Sequence, residues 1–229
     1  GAPVDFFSLH GYGKVENITA NLREFINKVS VAGQKLVPPQ TAQSLMQNRE
    51  LFLDETGPFS HATSTHDYPY SAAWLVQMVD AVHEQADSLG QEHLPDISFW
   101  WGQIGRHAMT RQMGTMAGST QASGQIFKRS SFNAPVALSY LKGNRVAVAG
   151  ATSIDPIHGI ASSDGSSRVT LVLYHLDAAD QLNLNTKVSN VSVAFQSLPF
   201  VNFNVCTYVI DETQSNGFDE YSSGAAFSV

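Results

Sequence analysis

Two acids stand side by side in the stretch RELFLDETGPFSHATSTHD: Asp54 and Glu55, directly after the apolar run Leu51-Phe52-Leu53. Carboxylates at the tip of a buried strand offer nucleophilic or acid/base chemistry, or else form a polar turn that bonds backbone amides. His10 and Tyr12 close a second apolar run, VDFFSLHGYG, and Trp100 and Trp101 close a third, DISFWWGQ. An indole is a flat stacking face with one N–H donor. Alternation along a strand turns one Trp of such a pair toward a site and the other into the core. The same alternation predicts that Asp54 points away from Glu55 and serves the loop or a neighbouring strand. His61 and His66 lack a third ligand on their Gly/Pro/Thr loop, so no metal site is read there. Cys206, in the apolar string FNVCTYVI, is expected to be a buried, inert thiol. No G-x-S-x-G, P-loop or dinucleotide fingerprint occurs, and no cofactor is implied.

The elements that must position these residues fall into two kinds. Through about residue 145, short apolar strands alternate with amphipathic helices. After the first strand, Ile18, Leu22, Phe25, Ile26 and Val29 recur at helical spacing, with Asn17 placed to cap. After LFLDE comes a helix whose apolar face is Trp74, Leu75, Met78, Val79, Val82, Ala86 and Leu89. The third strand, Ile97 to Trp101, leads through a Gly-, Met- and Ser-rich loop to the helix SFNAPVALSYLKG, stopped by Gly143. Continuously apolar strands between such helices predict a parallel sheet covered on its outside. The C-terminal edge of that sheet is where such folds build their sites. From residue 146 the period changes to two. SRVTLVLYHLD, KVSNVSVAF and VNFNVCTYVID read as strands joined by Asp-Gly, Asn and Ser-rich turns, which predicts an antiparallel sandwich.

The composition bounds the partners. In 229 residues, 13 Lys plus Arg stand against 20 Asp plus Glu, a formal charge of −7 without a basic block. That argues against nucleic acid or an anionic membrane as partner. No apolar run approaches the roughly 20 residues of a membrane span. Two sequons, Asn17-Ile18-Thr19 and Asn190-Val191-Ser192, with few lysines, predict a glycosylated protein of the secretory pathway or the extracellular space. Three βα units leave a parallel sheet with an open edge. The chain is therefore expected to be the C-terminal portion of something larger, or to be completed by a companion chain.

The strings resemble glycoside hydrolase family 39, the β-xylosidase and α-L-iduronidase family, whose members carry a (β/α)8 barrel followed by a β-sandwich. VDFFSLHGYG resembles that family's sixth strand, ending in His-x-Tyr. LFLDETG resembles the seventh, which ends in the nucleophilic glutamate. HDYPYSAAWLVQ resembles the opening of the next helix, DISFWWGQ the aromatic eighth strand, and YVIDETQSNGF a segment near the C-terminus. The resemblance covers nearly the whole chain. It implies that 1–145 supply the last three βα units of a (β/α)8 TIM barrel and 146–229 an antiparallel β-sandwich.

By this resemblance Glu55 is the nucleophile of a retaining glycosidase, and His10 and Tyr12 line the adjoining sugar subsite. There the tyrosine hydroxyl can hydrogen-bond the glutamate and hold it ionised. Trp100 or Trp101 is the stacking platform, with Trp100 favoured because the family places a single Trp near there. The alternatives stay open at each position: Glu55 as a strand terminator, and His10 and Tyr12 as loop caps. The family's proton donor is a glutamate after asparagine on the fourth strand, and the chain contains no Asn-Glu pair. Asp67 and Asp96 are candidates only by proximity. The donor is thus expected from an N-terminal barrel half, and the partner is a carbohydrate. Thr56-Gly57-Pro58 after Glu55 departs from the family's aromatic-then-Asn/Ser pattern, which puts the substrate class in doubt. The rival reading is a carbohydrate-binding or structural glycoprotein that keeps the glycosidase fold without its chemistry.

Overall fold

A computed structural model describes residues 6–46, 49–59, 69–89, 96–99, 117–119, 126–128, 130–150, 157–176, 190–211 and 214–215. The architecture is mixed α/β, with a three-stranded parallel sheet, a two-stranded sheet and a three-stranded antiparallel sheet among the described residues. The chain divides into two compact units, Gly1–Thr63 with Gln77–Ile126, and Ser64–Val76 with Phe127–Val229.

In the first unit, β1 (Phe6–Tyr12), β2 (Glu50–Gly57) and β3 (Asp96–Phe99) form a parallel sheet in the order β1-β2-β3. Between β1 and β2 lie α1 (Val15–Gly33) and the short α2 (Ala42–Met46). The helical spacing of Ile18, Leu22 and Ile26 buries all three. Leu22 and Ile26 pack with Met46 and Leu51, and Phe7, Leu9, Phe25 and Val29 close around them. One face of the sheet is thereby fixed against α1. Gly11 belongs to that contact: a Cβ there would stand 2.7 Å from Ile18 Cγ2, so only glycine allows strand and helix this close. Helix α1 begins earlier than the sequence predicts. Its N-cap is Lys14, without a side-chain cap, and Asn17 is exposed within the first turn. The turn at Gly13, φ +100°, delivers the chain into that turn, and its amide bonds the Gly57 carbonyl at 3.0 Å.

Helix α3 (Pro69–Leu89) buries Trp74, Leu75, Met78 and Val82, four of the five residues of its expected apolar face whose side chains are described. A two-stranded sheet, β4 (Ala117–Ser119) with β5 (Ile126–Lys128), follows.

In the second unit, α4 (Ser130–Ser139) precedes Gly143 at φ +83°. The helix ends at Ser139, four residues before the glycine read as its stop; a Cβ at Gly143 would meet the Ser163 carbonyl oxygen at 2.1 Å, so glycine is required there by that close approach. β6 (Asn144–Val146), β7 (Ile157–Ser163) and β8 (Val169–His175) form an antiparallel sheet in that order. The β7–β8 turn falls on the Asp164-Gly165 pair. Asp164 accepts the amides of Ser166, Ser167 and Arg168 at 2.8–3.0 Å, with the Ser167 hydroxyl at 2.7 Å. Those donors, Ser167 and Ser166 foremost, hold its carboxyl far below the ordinary range.

Two expectations are corrected here. Residues 190–211, where period two predicts further strands, run without strand pairing. Their alternating side chains are exposed on both stretches, Val193 at 45% and Val205 at 75%, so no covered face selects a register. Cys206, for the same reason, is exposed rather than buried.

Candidate functional site at the strand tips

Parallel pairing brings the C-terminal ends of β1, β2 and β3 to one edge. The register across β1 and β2 runs regularly from Phe6↔Glu50 to Leu9↔Leu53, then jumps to His10↔Glu55. On the other side, Leu53 pairs with Ile97 but Thr56 pairs with Phe99. Against both neighbours β2 thus carries one extra residue beyond Leu53, a β-bulge.

The bulge decides where the acids go. Leu51 faces the α1 cluster, and regular alternation would place Leu53 and Glu55 with it, while Phe52 and Asp54 share the opposite face with Phe6, Ser8 and His10. Phe6 and Phe52 do meet edge-on, ring centroids 5.8 Å apart. One inserted residue swings Glu55 across to that same face. Asp54 and Glu55 therefore both reach His10. Nδ1 stands 2.8 Å from Glu55 Oε2, and Nε2 stands 3.4 Å from Asp54 Oδ1. The expectation that Asp54 points away from Glu55 fails because the strand is not regular there. Beneath the bulge, the fully buried Thr56 hydroxyl donates to the Leu53 carbonyl at 3.4 Å, spanning the two acids.

Tyr12 completes the cluster by hydrogen-bonding the Glu55 side chain. Its phenol is raised well above the ordinary tyrosine range. Partial burial contributes most, then the hydrogen bond to Glu55, then the charges of Glu55 and Asp54. The Glu55 side chain is 29% exposed and that of Asp54 45%, so the cluster lies open to a ligand.

A raised phenol value has a measurable consequence. Its contribution to stability is complete below the ordinary value of about 10 and is lost as pH rises through the folded-state value. Ultraviolet titration of the seven tyrosines should therefore show one phenol ionising after the exposed ones, and Tyr12→Phe should remove that late step. A wild-type curve without it would contradict the Tyr12–Glu55 bond.

Of the residues singled out in the sequence, the structure brings together His10, Tyr12 and Glu55. It adds Asp54, which the pattern placed on the other face. Nothing in the composition of LFLDETG signals the bulge; only the cross-strand register reveals it. Trp100, Trp101, His61, His66 and Asp67 lie outside the described residues, and Asp96 opens β3. Both sequon asparagines, Asn17 and Asn190, are exposed. Among the described residues no group of three or more His, Cys, Asp or Glu is arranged to hold a metal ion. No described helix is long and apolar enough to cross a membrane.

No family model matches the chain, and no curated protein matches it. Among solved structures, a glucosidase from Croceicoccus marinus is similar at 16% sequence identity and a TM-score of 0.45. That likeness covers 76% of this chain, which spans 34% of the glucosidase's length.

Proposed function

We propose that this chain belongs to a retaining glycoside hydrolase and supplies its nucleophile, Glu55. One observation carries the reading: the His10 imidazole and the Tyr12 hydroxyl converge on the Glu55 carboxylate at the C-terminal edge of a parallel sheet. A carboxylate accepts at about four lone-pair positions, and two donors fix its plane while leaving the others for a substrate. In the reaction an oxygen of Glu55 bonds the anomeric carbon as the bond to the leaving oxygen breaks. A second carboxyl group about 5–5.5 Å away protonates that oxygen, then draws a proton from the water that hydrolyses the glycosyl ester. The chain holds no Asn-Glu pair. In this reading the proton donor comes from an N-terminal barrel half, in the same precursor or a companion chain. β1–β3 are then the last strands of a (β/α)8 barrel, and β6–β8 one sheet of an accessory sandwich. A Trp of 100–101 is the sugar platform. The exposed sequons fit an extracellular glycoprotein.

A second reading is a fold that binds sugar without cleaving it, and absence of an Asn-Glu pair from the whole protein would favour it. Trapping separates the two. An activated 2-deoxy-2-fluoro glycoside should leave a sugar covalently bound to the peptide containing Glu55, found by mass spectrometry after digestion. Saturable sugar binding with no labelled peptide across a panel of pentosides and hexosides would leave only the binding reading.

A further inference from the structure

The two contacts of His10 constrain its hydrogens. A carboxylate only accepts, so the nitrogen 2.8 Å from Glu55 Oε2 must present N–H. The other nitrogen faces a second carboxylate, Asp54 Oδ1 at 3.4 Å. A neutral imidazole has one N–H and one lone pair, and a lone pair turned toward Asp54 would be repelled. An N–H on that nitrogen instead finds its acceptor in Asp54, which grips the ring at its second end.

We infer that Asp54 is a positioning residue that acts on Glu55 through His10: on the face to which the bulge brings Glu55, it fixes the imidazole so that Nδ1–H stays on the Glu55 carboxylate. Three observations meet in this assignment. The register places one extra residue in β2 against both of its neighbours, directly after Leu53. Asp54 and Glu55 each lie against a different nitrogen of one ring. Thr56 spans the bulge from a fully buried position, its hydroxyl donating back to the Leu53 carbonyl. A ring held at one nitrogen alone can rotate about its side-chain bonds. Held at both, it presents a fixed edge. Tyr12 reaches Glu55 as a second donor, so loss of the ring's alignment would leave the carboxylate with the phenol alone as a fixed donor.

The kinetic side of this inference rests on the hydrolase reading; the structural side does not. The test is a long-range 1H–15N spectrum of the histidine rings in the substrate-free protein, with His10 identified by its loss in His10→Gln. In the wild type the His10 nitrogen that faces Glu55, Nδ1, should carry its hydrogen. In Asp54→Ala the His10 ring-nitrogen signals should move from their wild-type positions, because the contact at Nε2 is gone. Asp54→Leu, similar in shape but unable to bond the ring, should give the same change and serves if the alanine variant does not fold. In an active wild type, the same variants should lose about tenfold or more in kcat with KM little changed, the mark of an interaction that matters in the transition state. An identical His10 spectrum in wild type and variants overturns the inference, and so does a changed spectrum with undiminished kcat. A changed spectrum in a protein that cleaves no glycoside upholds the Asp54–His10–Glu55 arrangement and removes the hydrolase reading beneath it.

Discussion

Glu55→Gln is expected to lower kcat on the order of 10^4-fold or more in the complete protein, the scale seen when a covalent nucleophile is removed. Its stability should change by no more than about 1 kcal/mol, as for other substitutions outside a packed core. The amide keeps the size of the carboxylate and can still accept from the Tyr12 hydroxyl and from His10 Nδ1–H. What it loses is the charge that attacks the anomeric carbon and, with it, the glycosyl ester. A loss of activity with an unchanged unfolding midpoint is therefore the expected pair of results. Turnover at the wild-type rate would remove Glu55 as nucleophile whatever the fold. Steady-state kinetics on aryl glycosides and chemical denaturation of the same preparation supply both numbers.

The candidate site divides into what side-chain pattern can encode and what it cannot. The spacing of Ile18, Leu22 and Ile26, and of Trp74, Met78 and Val82, follows helical geometry closely enough to name the buried faces in advance. The apolar strands before His10 and before Asp54 are as plain, because Phe7, Leu9 and Leu51 pack into the cluster beneath α1. Gly143 and the Asp164-Gly165 turn are legible for another reason: positive φ at the two glycines leaves few residue types available. The bulge has no such signature. Period-two reading of Leu51-Phe52-Leu53-Asp54-Glu55 puts the acids on opposite faces, and only pairing with β1 and β3 shows that the period breaks there. Residues 190–211 fail in the opposite sense. Their alternation is clear, yet β-propensity describes fit to a half-buried surface, and these side chains have no such surface. The start of helix α1 departs from the sequence expectation because caps are preferences: Lys14 takes the position with no side-chain bond, and Asn17, within the first turn, is left exposed.

Leu53→Ala should produce the largest loss of stability near the site, about 2–5 kcal/mol by the scale of leucine truncations in packed cores. Leu53 is 1% exposed, pairs with Leu9 on one side and Ile97 on the other, and is the last regular residue before the bulge. Removing its side chain leaves a cavity under the acids at a point where the backbone has no ladder to spare. Against a typical domain stability of about 5–15 kcal/mol the loss is severe. It should appear as a lower denaturant midpoint with an unchanged slope, since the surface exposed on unfolding is nearly the same. The contrast with Glu55→Gln, two residues away, is the informative part. The glutamine variant should be stable and inactive. The alanine variant should be unstable, yet in the cold its folded fraction should retain the late tyrosine titration, because Tyr12, His10 and Glu55 are untouched. A Leu53→Ala midpoint shift equivalent to less than about 0.5 kcal/mol, the range of ordinary surface substitutions, would mean that the strand does not form the packed floor on which the bulge, and the alignment of Glu55 with it, depends.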